Sequence, residues 1–200
     1  MKVMKGKIAV VLFLVLSILV VSFSGCVEPE VTTKPNATPT ITPTPTTTPT
    51  ATSSPRGSYQ NPADVSETVI VTYLGETFEI TVLDVERGET VWQELYAANM
   101  FNEEPKQGFE YLLTKVRAAH TSGESSTYVS SFSFNAYAES VGYDSAFVVL
   151  PKDRPGLDGV DLMPGGQTEG WICFEVPKNK PVLIAYEYLF EPACFINVGS

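Results

Sequence analysis

Histidine and cysteine are scarce in this 200-residue sequence, which holds one histidine, His120, and three cysteines. A zinc centre draws several ligands from those two residue types, so this chain could build one only by spending its thiols. Ser-His-Asp catalysis would have to use His120, and no Gly-x-Ser-x-Gly elbow is present to present a nucleophile. Phosphate-loop and dinucleotide fingerprints are missing as well, and no cofactor is expected. His120 ends an alternating run and shares the inward parity of Val116 and Ala118, which reads as a hydrogen-bonded structural residue rather than a catalyst.

Basic residues are also few. Thirteen Lys and Arg stand against 23 Asp and Glu, a formal charge of −10. Lys2, Lys5 and Lys7 belong to the leader, so from Cys26 onward ten basic residues face all 23 acids, a balance of −13. Phosphate backbones repel such a surface, which excludes nucleic acid as a partner. Solubility accounts for the charge more simply than an acidic binding face does.

The N-terminus, by contrast, is rich in apolar residues. After the three lysines an uncharged run extends from Ile8 to Phe23, and Ser24-Gly25 precede Cys26. A basic stretch, a short apolar run and small residues at the break form a secretory signal pattern. Small residues directly before a cysteine resemble the lipobox of prokaryotic lipoproteins, in which lipid alkylates that thiol and the cysteine becomes the new N-terminus. An uncleaved anchor helix from Ile8 to Val27 is the alternative, since that stretch is just long enough to span a bilayer. Either way the lysines stay inside and the remainder is exported.

From Val31 to Ser54 the sequence is almost all Thr, Pro, Ala and Ser. Too few large apolar groups are available there to offset the entropy of ordering, so a disordered spacer is expected. Its prolines favour polyproline II, about 3.1 Å per residue. Thr/Pro composition is typical of O-glycosylated stalks, and Asn36-Ala37-Thr38 is an N-glycosylation sequon. The predicted organisation is therefore a signal peptide over 1–25, a lipidated Cys26 with its linker over 26–60, and one folded domain over 61–200.

That domain reads as mainly β. Thr68 to Tyr73 is a strand, Leu74-Gly75-Glu76 turns, and Phe78, Ile80 and Val82 alternate with Glu79 and Thr81. Thr90 and Gln93 stand at capping-box spacing ahead of a short apolar stripe (Val91, Trp92, Leu95, Ala98), which predicts one helix ended by Asn102 and Pro105, with Trp92 as its anchor. Phe109 to His120, Tyr128 to Tyr137, Tyr143 to Leu150, Glu169 to Val176, Val182 to Tyr188 and Phe195 to Val198 complete the strands. Pro164-Gly165-Gly166 fits a type II turn. Short strands, turns between them and no βαβ alternation predict a two-sheet antiparallel β-sandwich with one short helix.

The run Phe78 to Val85, with Arg87-Gly88-Glu89, Trp92-Gln93, Ala97 to Asn102, and Gly108-Phe109-Glu110-Tyr111-Leu112-Leu113, resembles a family of prokaryotic surface lipoprotein domains. The closing blocks Pro164-Gly165-Gly166, Gly170-Trp171-Ile172 and Phe174-Glu175-Val176-Pro177 resemble it too. The resemblance covers the chain from about Gly57 to the C-terminus. It implies an extracellular immunoglobulin-like domain of unknown function with no established catalytic residue. Some members carry a label derived from telomeric repeat-binding factor 2, which charge and export both contradict.

With Cys26 lipidated, Cys173 and Cys194 form an even pair in an exported domain, which suggests a disulfide worth roughly 3 kcal/mol by chain entropy. Strand parity argues for the alternative, two separate buried thiols. Asp144, Asp153, Asp158 and Asp161 fall in one loop-rich stretch and are the weak candidates for a Ca²⁺ site, against a plain solvated loop. Core packing is expected for Tyr128, Phe132, Phe134, Tyr143, Phe147, Trp171, Phe174 and Tyr186, and a carbohydrate-stacking face is the sharper alternative.

These readings converge on a lipid-anchored, non-catalytic module at the cell membrane. Its partners would be the membrane, through Cys26, and an extracellular protein or glycan met by loops at one end of the sandwich. A carboxylate-pair hydrolase and a calcium-dependent adhesion module are the alternatives.

Overall fold

The computed structural model describes residues 54–200. The leader, Cys26, Asn36 and nearly all of the Thr/Pro run lie outside the described residues.

Two sheets face each other. One has four strands in the order β2 (Thr68–Tyr73), β3 (Glu76–Arg87), β4 (Phe109–Ser122) and β9 (Gln167–Pro177). The other has five, in the order β1 (Ala63–Asp64), β11 (Glu191–Asn197), β10 (Val182–Tyr188), β6 (Phe134–Ala138) and β7 (Val141–Tyr143). A short pair, β5 (Thr127–Val129) with β8 (Val160–Leu162), lies outside both. Every pairing is antiparallel except β1 with β11, a two-residue parallel contact. Among the described residues this is the two-sheet β-sandwich with one short helix that the sequence predicts.

Period-2 alternation explains the layers. Phe78, Ile80 and Val82 of β3, Leu112, Val116 and Ala118 of β4, and Ile172, Phe174 and Val176 of β9 turn inward. They meet Phe134, Ala136, Ile184, Tyr186, Cys194 and Ile196 of the opposite sheet in one buried core. Each large apolar side chain buried there contributes about 1.5–3 kcal/mol.

The four-stranded sheet is also covered on its outer face. Helix α1 (Glu89–Ala98) lays Val91 and Leu95 against Tyr111, Leu113, Trp171 and Cys173. This is why Tyr111 to Leu113 read as buried on both sides. The helix begins at Glu89 behind an N-cap Gly88, whose φ of 91° is a conformation glycine adopts freely, and no side chain caps it. The Thr90/Gln93 capping box is therefore not formed. Nor does Trp92 anchor the helix, since that role falls to the buried pair Val91 and Leu95. Asn102 sits beyond the helix end, where its amide donates to Leu95 O at 2.7 Å and to Val149 O at 2.9 Å while accepting from Val149 N at 2.8 Å.

Two predicted strands are shorter than expected. Tyr128 to Tyr137 is broken by a 3-10 turn, Ser131–Ser133, which reverses the parity of everything before it. Tyr143 to Leu150 leaves the sheet after Tyr143 and crosses outside β9, where Ser145 bridges to Phe174 and Ala146 N donates to Cys173 O at 2.7 Å. Gly156 bridges to Trp171 from the same side. The outer margin of β9 is thus occupied by loop backbone. β2, by contrast, pairs with β3 on one side and with no other strand among the described residues, and its Ile70 is exposed.

The predicted disulfide does not form. Cys173 and Cys194 are both free and buried. Cys173 faces outward into the cluster under α1, and Cys194 faces the core between the sheets. A sheet backbone separates them, as their parity foretold. Burial pushes the Cys173 thiol far up and that of Cys194 up to about 11, so both are inert at neutral pH.

Candidate functional site

Three type I′-like hairpins, with two positive-φ residues each, close successive strands. They are Leu74-Gly75, Glu139-Ser140 and Leu189-Phe190. Such turns strongly favour Asn and Gly, because a Cβ is crowded when φ is positive. Leu189 (φ 51°) and Phe190 (φ 67°) both violate that preference, and both side chains project into solvent, Phe190 with 94% of its surface exposed. Bulky residues in this region cost on the order of 1–3 kcal/mol each, and such strain clusters at functional sites.

The Leu189-Phe190 turn forms one wall of a groove of about 460 Å³. Tyr186 to Phe190 line that wall, and Ser126 to Tyr128 with Ser130, Phe132 and Ser133 line the other. Local chemistry fixes the second wall. Ser130 and Ser133 cap the 3-10 turn reciprocally, with Phe132 N donating to Ser130 Oγ and Ser130 N to Ser133 Oγ. Phe132 is thereby held outward, 67% exposed, with its ring 6.3 Å from that of Phe147. Tyr128 is also outward and lies across Gly159, where any Cβ would run into its ring and hydroxyl. Tyr128, Phe132 and Phe147 therefore do not pack in the core as expected, whereas Phe134, Trp171, Phe174 and Tyr186 do.

One carboxylate lines the groove, and it is already engaged. Glu187 Oε1 accepts from Asn135 Nδ2 at 2.8 Å and from the Tyr137 hydroxyl at 3.0 Å. Burial, helped by that hydrogen bond, raises the Tyr137 hydroxyl to about 12, so it stays a donor. The groove is aromatic and hydroxyl-edged, and its one carboxylate is held by two neutral donors and by no cation among the described residues.

The second polar feature is buried. His120 is fully enclosed, stacked on Phe78 at 4.6 Å, with Nδ1 3.0 Å from Leu162 O and Nε2 2.7 Å from Glu76 Oε2. Glu76 Oε1 accepts from the backbone N–H of Glu124 and Ser125. Desolvation pushes the Glu76 carboxyl upward, but the Glu124 amide, His120 and the Ser125 amide outweigh it and hold the carboxyl below its ordinary value. With acceptors at both ring nitrogens, this pair clamps the β2–β3 turn to the loop after β4. It does not line the aromatic groove and serves as architecture, in line with the sequence reading of His120.

The four aspartates do not converge. Asp161 sits on β8 opposite Tyr128, and Asp153 lies beside Arg154, with its carboxyl exposed. Among the described residues no group of three or more His, Cys, Asp or Glu side chains could hold a metal. Arg154 instead pairs with Glu86 at 2.8 Å and Glu94 at 3.0 Å over the Trp171 ring, tying α1 to the loop. Sequence reasoning missed Glu76, Leu189 and Phe190. For the last two a signal existed, a Leu-Phe pair at the point where two strands must reverse.

The fold and groove define a β-sandwich domain with an exposed aromatic end and no assembled catalytic cluster among the described residues. A family profile matches residues 46–195, and the chain belongs to that family, the domain of unknown function DUF4352. No curated protein matches the sequence. Among solved structures the chain is similar to ycdA, a candidate lipoprotein of Bacillus subtilis, at 16% identity and a TM-score of 0.47 over 64% of this chain. It spans only 39% of the ycdA chain. It is also similar to the secreted protein MPT63 of Mycobacterium tuberculosis, at 14% identity and a TM-score of 0.46 over 69% of this chain and 95% of that one. The yjhA protein of Bacillus subtilis aligns at 19% identity and a TM-score of 0.43 over 62% and 79% of the two chains.

Proposed function

We propose that this chain is a cell-surface lipoprotein, held in the membrane by lipid on Cys26, whose sandwich is a non-catalytic binding module. Residues 1–25 would be removed as signal peptide, 26–60 would act as the spacer, and 61–200 would present the aromatic end outside the cell. The observation that carries the binding role is the groove itself. Large apolar residues are placed in water at a cost in backbone strain, and large exposed apolar patches mark interaction sites. The acidic balance from Cys26 onward disfavours nucleic acid as the ligand.

Two measurements test the proposal. Cells expressing the full chain and fed an alkyne fatty acid should label it, and Cys26→Ser should abolish the label and release the protein. A cytosolic, unlabelled product with its leader intact overturns the anchoring. Detergent-solubilised full chain should be retained on immobilised envelope polysaccharide or envelope protein, with retention about tenfold weaker for Phe132→Ser, as expected for an aromatic anchor. Equal retention of the two overturns the groove as the binding surface.

A further inference from the structure

A terminal strand leaves half of its backbone N–H and C=O groups turned away from its sheet. Proteins guard such edges by keeping them short, by charge or proline, by bulges, or by covering them with a loop. Three of the four edges of the two main sheets are guarded here. The five-stranded sheet ends in β1, two residues long, and β7, three residues long. Loop backbone covers β9 along Trp171 to Phe174. The fourth edge, β2, has six residues without a charge, a proline or a glycine, and its register with β3 is unbroken from Thr68 to Tyr73. Among the described residues its backbone groups bond to β3 and to nothing else.

The residues of this edge are complementary to themselves. Thr68-Val69-Ile70-Val71-Thr72 has the same order in both directions about Ile70. A two-fold contact uses one patch on both molecules, so that patch must match itself. Two antiparallel copies centred on Ile70 set isoleucine beside isoleucine, Val69 beside Val71 and Thr68 beside Thr72. All five are β-branched, the class that strands favour. Val69 and Val71 face inward at the margin of the core, so pairing extends that apolar row, while Ile70, 68% exposed, loses its contact with water only when a second strand lies beside it. Charge does not oppose the contact, although the chain is acidic. Glu79, opposite Ile70 on β3, stands one strand in from the edge. The two Glu79 side chains would be three strand spacings apart, about 14 Å, beyond the screening length of about 8 Å at physiological salt. Glu67, just before the strand, is paired with Arg56.

We propose that β2 is a self-association edge, through which two copies of this chain pair antiparallel about a two-fold axis at Ile70 and join their four-stranded sheets. The pairing does not draw on the aromatic groove.

The test uses the full chain in intact producing cells, carrying single added cysteines and treated with a short bis-thiosulfonate cross-linker. Ile70→Cys should give dimer at least tenfold above the unsubstituted chain, since each added thiol meets its own counterpart. Thr68→Cys and Thr72→Cys should each give little alone, because four residues of strand, about 14 Å, separate each from its counterpart. Co-expressed under different tags, those two should cross-link to each other. Adding Ile70→Lys to both should cut that yield about tenfold, since like charges directly opposite oppose pairing and lysine is a natural guard of edges. The position is exposed, so the solubilised Ile70→Lys chain should melt with the wild type. Equal yields from the three single cysteines would indicate collision without register and overturn the proposal. No dimer from Ile70→Cys, adducts with a different protein, or a yield indifferent to Ile70→Lys overturn it as well.

Discussion

His120 and Glu76 show how one residue can be legible in a sequence while its partner is not. His120 could be placed inward because strand parity carries from Val116 and Ala118. Glu76 could not, because the contact spans 44 residues and depends on how the β2–β3 turn folds onto the loop after β4. The depressed carboxyl has a sign that can be checked. Its contribution is present above the ordinary carboxyl value of 4.5 and is lost as pH falls through its lower folded value. Glu76→Gln should therefore melt below the wild type at pH 7, and the gap should narrow as thermal melts are repeated below pH 4.5. A gap that stays constant in acid would contradict the ionised carboxylate.

Among the elements, strands with clean alternation were readable and their interruptions were not. β3, β4, β9 and β10 follow from Phe78-Ile80-Val82 and similar patterns, because a sheet face buries every second residue. Tyr128 to Tyr137 obeys the same pattern, yet Ser130 and Ser133 find each other's backbone and form a 3-10 turn, so Tyr128 and Phe132 end up in water. Helix α1 was predicted within a residue of its start, although its supposed cap is a glycine. The Leu189-Phe190 turn was not foreseen, since local preference argues against it. Replacing it with Asn-Gly should relieve strain and stabilise the domain by about 2 kcal/mol, a rise of several degrees in melting temperature for a domain of this size. Envelope retention should fall in the same variant. Stability without loss of retention would show that the turn's side chains have no binding role.

For the molecule as a whole, stability rests on two apolar layers on either side of the four-stranded sheet, without a covalent link between the sheets. Composition alone pointed to a disulfide because the two cysteines left after Cys26 form an even pair in an exported domain. Parity pointed the other way, and it reports which face of a backbone a side chain occupies. A reducing agent should leave the melting temperature of the full chain unchanged, and Cys173 and Cys194 should react with a thiol reagent only after denaturation. A drop of several degrees on reduction, on the order of the roughly 3 kcal/mol a bridge would supply, would contradict the free thiols.

The loop that lies along β9 has a consequence for self-association. Hydrogen-bonding groups that would welcome a foreign strand are taken along the middle of that flank, at Trp171 to Phe174, while Thr68–Tyr73 at the far flank pairs with no second strand among the described residues. Growth of a continuous ribbon through this sheet needs two such flanks per copy. Two copies meeting through β2 would leave a third only the partly covered β9 flank of this sheet, so association through it would favour pairs over fibres.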